Sequence, residues 1–246
     1  ITIRMNESSM EPAAPLARLA GLAYLTIIVG SLFAQVAVFQ PLTDGGSATV
    51  IAEKIAENQL LWRLGLALSL LALIANVPLG VILYGLFNQA QPTLARAALA
   101  FILICATMEA MSLLLLFVPL VSGAGGALAE ALAEPQRQAL TLLTIRLHTV
   151  GFAFALLFFA GFCILTGVMI VRSRAAPRLL GWLIGLAGLC YAVNTLAMVV
   201  APAVWSSISP AILVPCLIGE AALAIWLLVK GARLPSVQPS GRWQVC

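Results

Sequence analysis

The sequence is poor in charged residues, has a single histidine and shows no paired cysteines. Charged residues make up 9% of the 246 positions and hydrophobic residues 62%. This balance excludes a water-soluble globular domain, because its surface would carry large apolar patches. One histidine supplies one metal ligand, and no second histidine, cysteine pair or acidic cluster stands at ligand spacing. The sequence therefore predicts no metal centre, no haem and no other cofactor.

The cysteines and the basic residues argue against further classes of protein. Cys105, Cys163, Cys190 and Cys216 each stand alone in an apolar run and Cys246 is the last residue, so we expect small buried side chains and no disulfide framework. The net charge of +4 comes from basic residues near span ends, where they face phosphate headgroups, and no nucleic-acid role is predicted. No nucleophile and base stand together, so an enzyme is not expected.

Long apolar runs are what the sequence has in abundance, with a mean hydropathy of +1.08. Each run can cross a hydrocarbon layer of about 30 Å at about 1.5 Å per helical residue. The pattern predicts an all-α, polytopic membrane bundle with one domain at 17–231 and polar tails at 1–16 and 232–246. The six predicted spans are residues 17–39, 60–87, 94–121, 140–171, 178–201 and 210–230.

Basic residues are distributed unequally between the two ends of the predicted spans. Nine lie in or beside the two tails and the even-numbered loops, whereas four lie in or beside the odd-numbered loops: Lys54, Arg63, Arg137 and Arg146. The excess of lysine and arginine on one side predicts that both termini are cytoplasmic in a bacterial inner membrane. In the first outer loop, Ser47–Asn58 has apolar residues at helical spacing, which predicts a short interfacial helix.

Polar residues inside the spans are costly in lipid and mark candidate sites. Counting along each helix places most of them in the outer half of the bundle, and Glu220 near the middle of the sixth span. One interpretation is a structural network in which Glu109 pairs with an arginine or the histidine. The other is an outward-opening pocket whose arginines contact an anionic headgroup while Glu109 and His148 pass protons. The outer group comprises Gln35, Arg63, Glu109, Arg146, His148 and Asn194.

Two further features of the later spans bear on packing. Glu220 follows Pro215, so we expect a kink with a free carbonyl about one turn before the proline, and Gly219 allows a neighbouring helix to approach closely. Both function and packing remain open for Glu220. The fifth span carries small residues on one helical face, which favours close helix packing within the chain or in a dimer. These residues are Gly181, Gly185 and Gly188.

The sequence resembles a bacterial family of six-span membrane proteins, the domain-of-unknown-function family 4386. The resemblance covers roughly residues 16–231 and is most specific in the fourth and sixth spans. It implies an inner-membrane helical bundle and brings no activity or catalytic residues, although the family pattern also contains Arg63, Glu109, His148 and Glu220. It is carried by Arg18-Leu-Ala-Gly-Leu, Trp62-Arg-Leu-Gly, Glu109-Ala, Leu147-His-Thr-Val-Gly-Phe, Pro177-Arg-Leu-Leu-Gly and Gly219-Glu with Leu223-Ala-Ile-Trp-Leu-Leu-Val-Lys-Gly.

Two functions fit these patterns. A structural or accessory membrane protein, packing against lipid, other membrane subunits or a second copy of the chain, is the first expectation, since the loops are short. The alternative is a binding protein or transporter for a small solute, ion or lipid headgroup, with an outward-opening polar site.

Overall fold

The computed structural model describes residues 13–123, 130–209 and 211–231, and within these ranges the chain is helical with no strand. A π-helical segment, Ala34–Phe39, lies between α1 and α2, and a 3-10 turn, Ala211–Leu213, precedes α10. Most of the predicted tails and residues 124–129 of the third loop lie outside the described residues. The α-helices are α1 (Ala13–Phe33), α2 (Gln40–Thr43), α3 (Ala48–Glu57), α4 (Gln59–Phe87), α5 (Pro92–Leu115), α6 (Val118–Ser122), α7 (Glu134–Ser173), α8 (Arg178–Val200), α9 (Pro202–Ile208) and α10 (Val214–Lys230).

Six helical stretches are long and apolar enough to cross a membrane, which confirms the predicted number of spans. Their bounds differ from the predicted ones by at most six residues, because hydropathy marks the apolar part of a helix and the hydrogen-bonded helix extends beyond it. The protein is a multi-pass membrane protein with an all-α bundle. The stretches are Pro15–Thr43, Gln59–Phe87, Pro92–Ser122, Glu134–Ser173, Arg178–Val200 and Ala211–Lys230.

The spans form a closed ring in chain order. Each span packs against the next, and α10 returns to pack against α1. Buried side chains from the helices fill the centre, among them Tyr24, Leu79, Phe162 and Leu223. Large apolar side chains, mostly leucine and valine, are exposed on the outside of the ring, Leu186 among them. This is expected for helices whose solvent is lipid.

Helix α7 is longer than a membrane requires. Its 40 residues extend about 60 Å at about 1.5 Å per residue, twice the hydrocarbon thickness of about 30 Å. Helices α3 and α6 pack against it, and Thr49 Oγ1 donates to Gln138 Oε1 at 2.9 Å. The predicted helix at Ser47–Asn58 is therefore present as α3, capped by Ser47, whose Oγ accepts from Val50 N. Its location at the membrane surface stays a prediction.

The glycine face of α8 is used inside the chain. A Cβ on Gly188 would lie 2.7 Å from the carbonyl oxygen of Ala160, and one on Gly181 would lie 2.8 Å from that of Gly167, so α7 and α8 pack backbone to backbone. Gly185 has open space at its own Cβ position. Of the two uses that the sequence left open, the structure shows the internal one.

Two of the prolines in the spans differ in position, one lying at a helix end and one in a helix interior. Pro215 lies in the first turn of α10, directly after the 3-10 turn, so the expected kink below Glu220 is wrong. A proline in the first turn lacks only an N–H that would have no helical partner anyway. Pro78 lies inside α4, which runs without interruption from Gln59 to Phe87.

Candidate functional site

The first span changes its winding where it meets the polar interior. The π-helical segment buries Ala34, Val38 and Phe39 against α4, where Gly65 leaves room for them: a Cβ on Gly65 would lie 2.8 Å from a methyl group of Val38. Short π-helical segments inside α-helices are rare and occur frequently at functional sites. Here the wider turn places Gln35 and Phe39 at the edge of a cavity.

Glu109 is held by an amide of the neighbouring helix. Asn76 Nδ2 of α4 donates to Glu109 Oε2 of α5 at 3.3 Å and to the carbonyl oxygen of Ala72 at 3.5 Å. The opposite amide orientation would set an oxygen against these two acceptors, so the network fixes the orientation. Asn76 Oδ1 is then left buried and unpaired among the described residues, as an acceptor next to the carboxyl.

His148 packs between two aromatic rings and contacts Ser112 of α5. Its ring stacks on Phe152 with centroids 6.0 Å apart and meets the edge of Phe39 at 6.2 Å. Ser112 Oγ lies 2.9 Å from His148 Nδ1 and donates to the backbone carbonyl of His148, also at 2.9 Å. Nδ1 lies 3.2 Å from the backbone carbonyl of Ser112.

These contacts select one tautomer of the imidazole. The Ser112 carbonyl can only accept, and the Ser112 hydroxyl proton is directed at the His148 carbonyl, so Nδ1 must carry the ring proton. Nε2 is then the free acceptor of the neutral ring. A serine beside a histidine is also the arrangement of a nucleophile and its base, but a base must offer a lone pair to the hydroxyl. Ser112 here positions the ring.

Glu109 and His148 line the same cavity. It lies among the π-helical segment and helices α1, α4, α5 and α7, and its space for the centres of water molecules is about 30 Å³, enough for roughly two waters. Ser31, Gln35 and Ser69 complete its polar lining. The rest of the wall is apolar and is formed by Ala34, Phe39, Leu113 and Phe152. A carboxyl and an imidazole beside neutral hydroxyl and amide groups have the chemistry to hold a proton or a small cation. The cavity is too small for an organic solute.

The structure does not bring all predicted site residues together. Arg63 and Arg146 are both exposed. Among the described residues, Glu109 has Asn76 as its hydrogen-bond partner, and neither arginine forms a hydrogen bond or an ion pair with this carboxyl. Long basic side chains at span ends can extend along the helix toward headgroups instead. Asn194 is buried at 5% exposure and does not line the cavity; its Oδ1 has no partner in the described part of the chain.

Glu220 lies in a second polar site, on α10, which does not line the Glu109 cavity. It is 5% exposed, and the Tyr191 hydroxyl of α8 donates to its Oε1 at 2.5 Å. Tyr24 of α1 and Cys163 of α7, both buried, lie within electrostatic range of this carboxyl.

The model of the family described as "Domain of unknown function (DUF4386)" matches residues 19–231. The chain belongs to this family. The match covers all six spans and both polar sites, and it confirms the resemblance noted in the sequence. Comparison with curated proteins and with solved structures gives no match. The family description names no activity, so the function of this DUF4386 member must be argued from the site itself.

Sequence reasoning overlooked Ser112, the partner of His148, and the partners of the two glutamates. Ser112 follows Glu109 by three residues and therefore lies on the same face of α5, a spacing that pointed to it. Tyr191 and Asn76 carried only a weak signal, since which helix faces which is decided by the ring order. Within the described residues no three of His, Cys, Asp or Glu converge on one point.

Proposed function

We propose that this protein is a multi-pass protein of the bacterial inner membrane that binds a small cation, either a proton or a monovalent metal ion, and passes it across the bilayer. The observation that carries the proposal is the shared cavity of Glu109 and His148 beside a π-helical segment. An intramembrane carboxyl facing a polar cavity marks ion pathways and proton relays. Hard cations prefer oxygen ligands such as those of Glu109 and Gln35.

The membrane orientation and the partners in this proposal are those that the sequence predicts. Both termini are cytoplasmic, the lipid bilayer surrounds the ring, and the protein acts without nucleic acid and without chemical catalysis. A second copy of the chain or another membrane subunit can bind the exposed apolar outside of the ring.

A structural or accessory role is the second candidate. It is favoured by the small size of the cavity and by side chains that tie neighbouring helices together, such as Thr195 Oγ1 donating to the carbonyl oxygen of Ala153 at 2.9 Å. In that case the polar groups fix the register of the helices.

Transport in phospholipid vesicles separates the two candidates. The purified protein is reconstituted, a membrane potential is imposed, and proton entry is followed with an internal pH dye while tracer Na⁺ is followed in parallel. We expect one of the two cations to enter faster than into empty vesicles, and Glu109→Gln to abolish the difference. Glu53→Gln is the matched control, because Glu53 is exposed on α3.

The result also identifies the cation. Proton entry in the absence of Na⁺ indicates a proton pathway, whereas tracer entry indicates a sodium site. Wild-type vesicles that behave like empty ones would overturn the proposal and leave the accessory role.

A further inference from the structure

We infer that Glu220 and Tyr191 form a proton-binding site in the core of the ring, separate from the Glu109 cavity, and that the proton on Glu220 exchanges with water. The site joins α8 to α10 through the hydrogen bond from the Tyr191 hydroxyl to Glu220 Oε1. It does not depend on a cation at Glu109, because its test measures the Glu220 carboxyl directly.

Among the described residues, Glu220 has no positively charged partner. The titratable side chains that interact with it are Tyr24 of α1, Cys105 of α5, Cys163 of α7, Tyr191 of α8 and Cys216 of its own helix. In the described part of the chain, α4 adds no titratable group to this set. An ionised carboxylate here would have one neutral donor to offset the loss of hydration, and that is insufficient in an apolar interior.

A proton is therefore the cation that fits this site. A metal ion needs several oxygen ligands around it, and Tyr191 and Tyr24 are the only hydroxyl groups among the described residues that interact with the carboxyl. If the hydrogen bond served packing alone, a glutamine would accept it equally well. What the carboxyl adds is the capacity to gain and lose a proton.

Tyr24 carries a second hydroxyl group that interacts electrostatically with the Glu220 carboxyl. Its hydroxyl is buried at 1% exposure and, apart from the weak thiol of Cys163 beside it, has no hydrogen-bond partner among the described residues. A donor without a strong acceptor can turn to a carboxylate oxygen when Glu220 loses its proton. The electrostatic interaction of Tyr24 with Glu220, together with the hydrogen bond from Tyr191, offsets part of the cost of the ionised carboxylate, which makes the exchange of the proton accessible.

Infrared difference spectroscopy tests the inference. A protonated buried carboxyl gives a C=O band apart from those of carboxylate and amide groups. In the intact protein in lipid we expect such a band, lost in Glu220→Gln, retained in Glu109→Gln and displaced to higher frequency in Tyr191→Phe, which removes the hydrogen bond. Transfer to D₂O should displace the band, and raising the pH should remove it.

Each outcome bears on the proposal. A band that stays in place in D₂O would show that the proton does not exchange, and identical spectra for the wild type and Glu220→Gln would show that no such proton exists. Either result overturns the inference. If Glu220→Gln fails to fold, Tyr191→Phe decides alone, since it leaves the carboxyl in place: a displaced band supports the site and an unchanged one overturns it.

Discussion

At the scale of single residues, Asn76 is the hydrogen-bond donor that stabilises the partly buried Glu109 carboxyl. Its Nδ2 donates to the carboxyl at 3.3 Å, and its side chain is 3% exposed. Asn76→Ala removes this hydrogen-bond donor. Leaving a buried polar group without its partner lowers the free energy of unfolding by about 1–3 kcal/mol. We expect this loss in the free energy of unfolding, measured in mixed detergent micelles.

A control for that measurement lies on the same helix as Glu109. Thr107 is exposed and donates only to the carbonyl oxygen of Leu103, one turn earlier. Thr107→Ala should therefore leave stability close to that of the wild type. Equal losses for both variants would contradict the role given to Asn76.

The single histidine allows its tautomer to be read without assignment. In protein labelled with ¹⁵N at histidine, the spectrum contains one imidazole, and we expect the shifts of a proton on Nδ1 and a bare Nε2, because Nδ1 faces the Ser112 carbonyl at 3.2 Å. Ser112→Ala removes the hydroxyl and leaves this backbone carbonyl in place, so the proton should stay on Nδ1. A wild-type spectrum with the proton on Nε2 would contradict the arrangement of Ser112 and His148.

At the scale of secondary-structure elements, the contact between α7 and α8 depends on glycine. A Cβ on Gly188 would lie 2.7 Å from the Ala160 carbonyl oxygen, which is backbone and cannot move away alone, whereas a Cβ on Gly185 meets nothing within 4 Å. Gly188→Ala should therefore cost about 1–3 kcal/mol through overpacking. Gly185→Ala is the matched control and should change stability by less than about 1 kcal/mol.

The comparison uses unfolding of both variants under the same micelle conditions. Because both glycines lie on α8 and both changes add one methyl group, their difference isolates the contact with α7. If both variants unfold like the wild type, the two helices are not packed backbone to backbone at Gly188.

The sequence predicted elements well and contacts poorly, for a physical reason. Span number and bounds follow from hydropathy and helical rise, which are local properties. The π-helical turn at Ala34–Phe39 depends on the space that Gly65 leaves on another helix, and the partner of Glu109 depends on which face α4 turns to α5. Such choices arise from packing between distant segments. Arg63 looked like a partner for Glu109 because depth was known and direction was not.

At the scale of the whole molecule, the ring follows chain order, so each loop joins two neighbouring, oppositely directed spans. The loops must then alternate between the two sides of the membrane. The excess of arginine and lysine in the two tails and the even loops taken together predicts that this side faces the cytoplasm and that α3 lies outside.

Labelling of introduced cysteines in intact cells tests this orientation. Glu57 at the end of α3 and Gln89 in the loop after α4 are both exposed, and they are separated by the single span α4. In a background with Cys246→Ser, we expect a membrane-impermeant maleimide to label Glu57→Cys in intact cells and Gln89→Cys only after permeabilisation. The background protein without either substitution controls for the cysteines inside the spans. The reverse pattern would place the termini outside and the Glu109 cavity in the cytoplasmic half of the bundle.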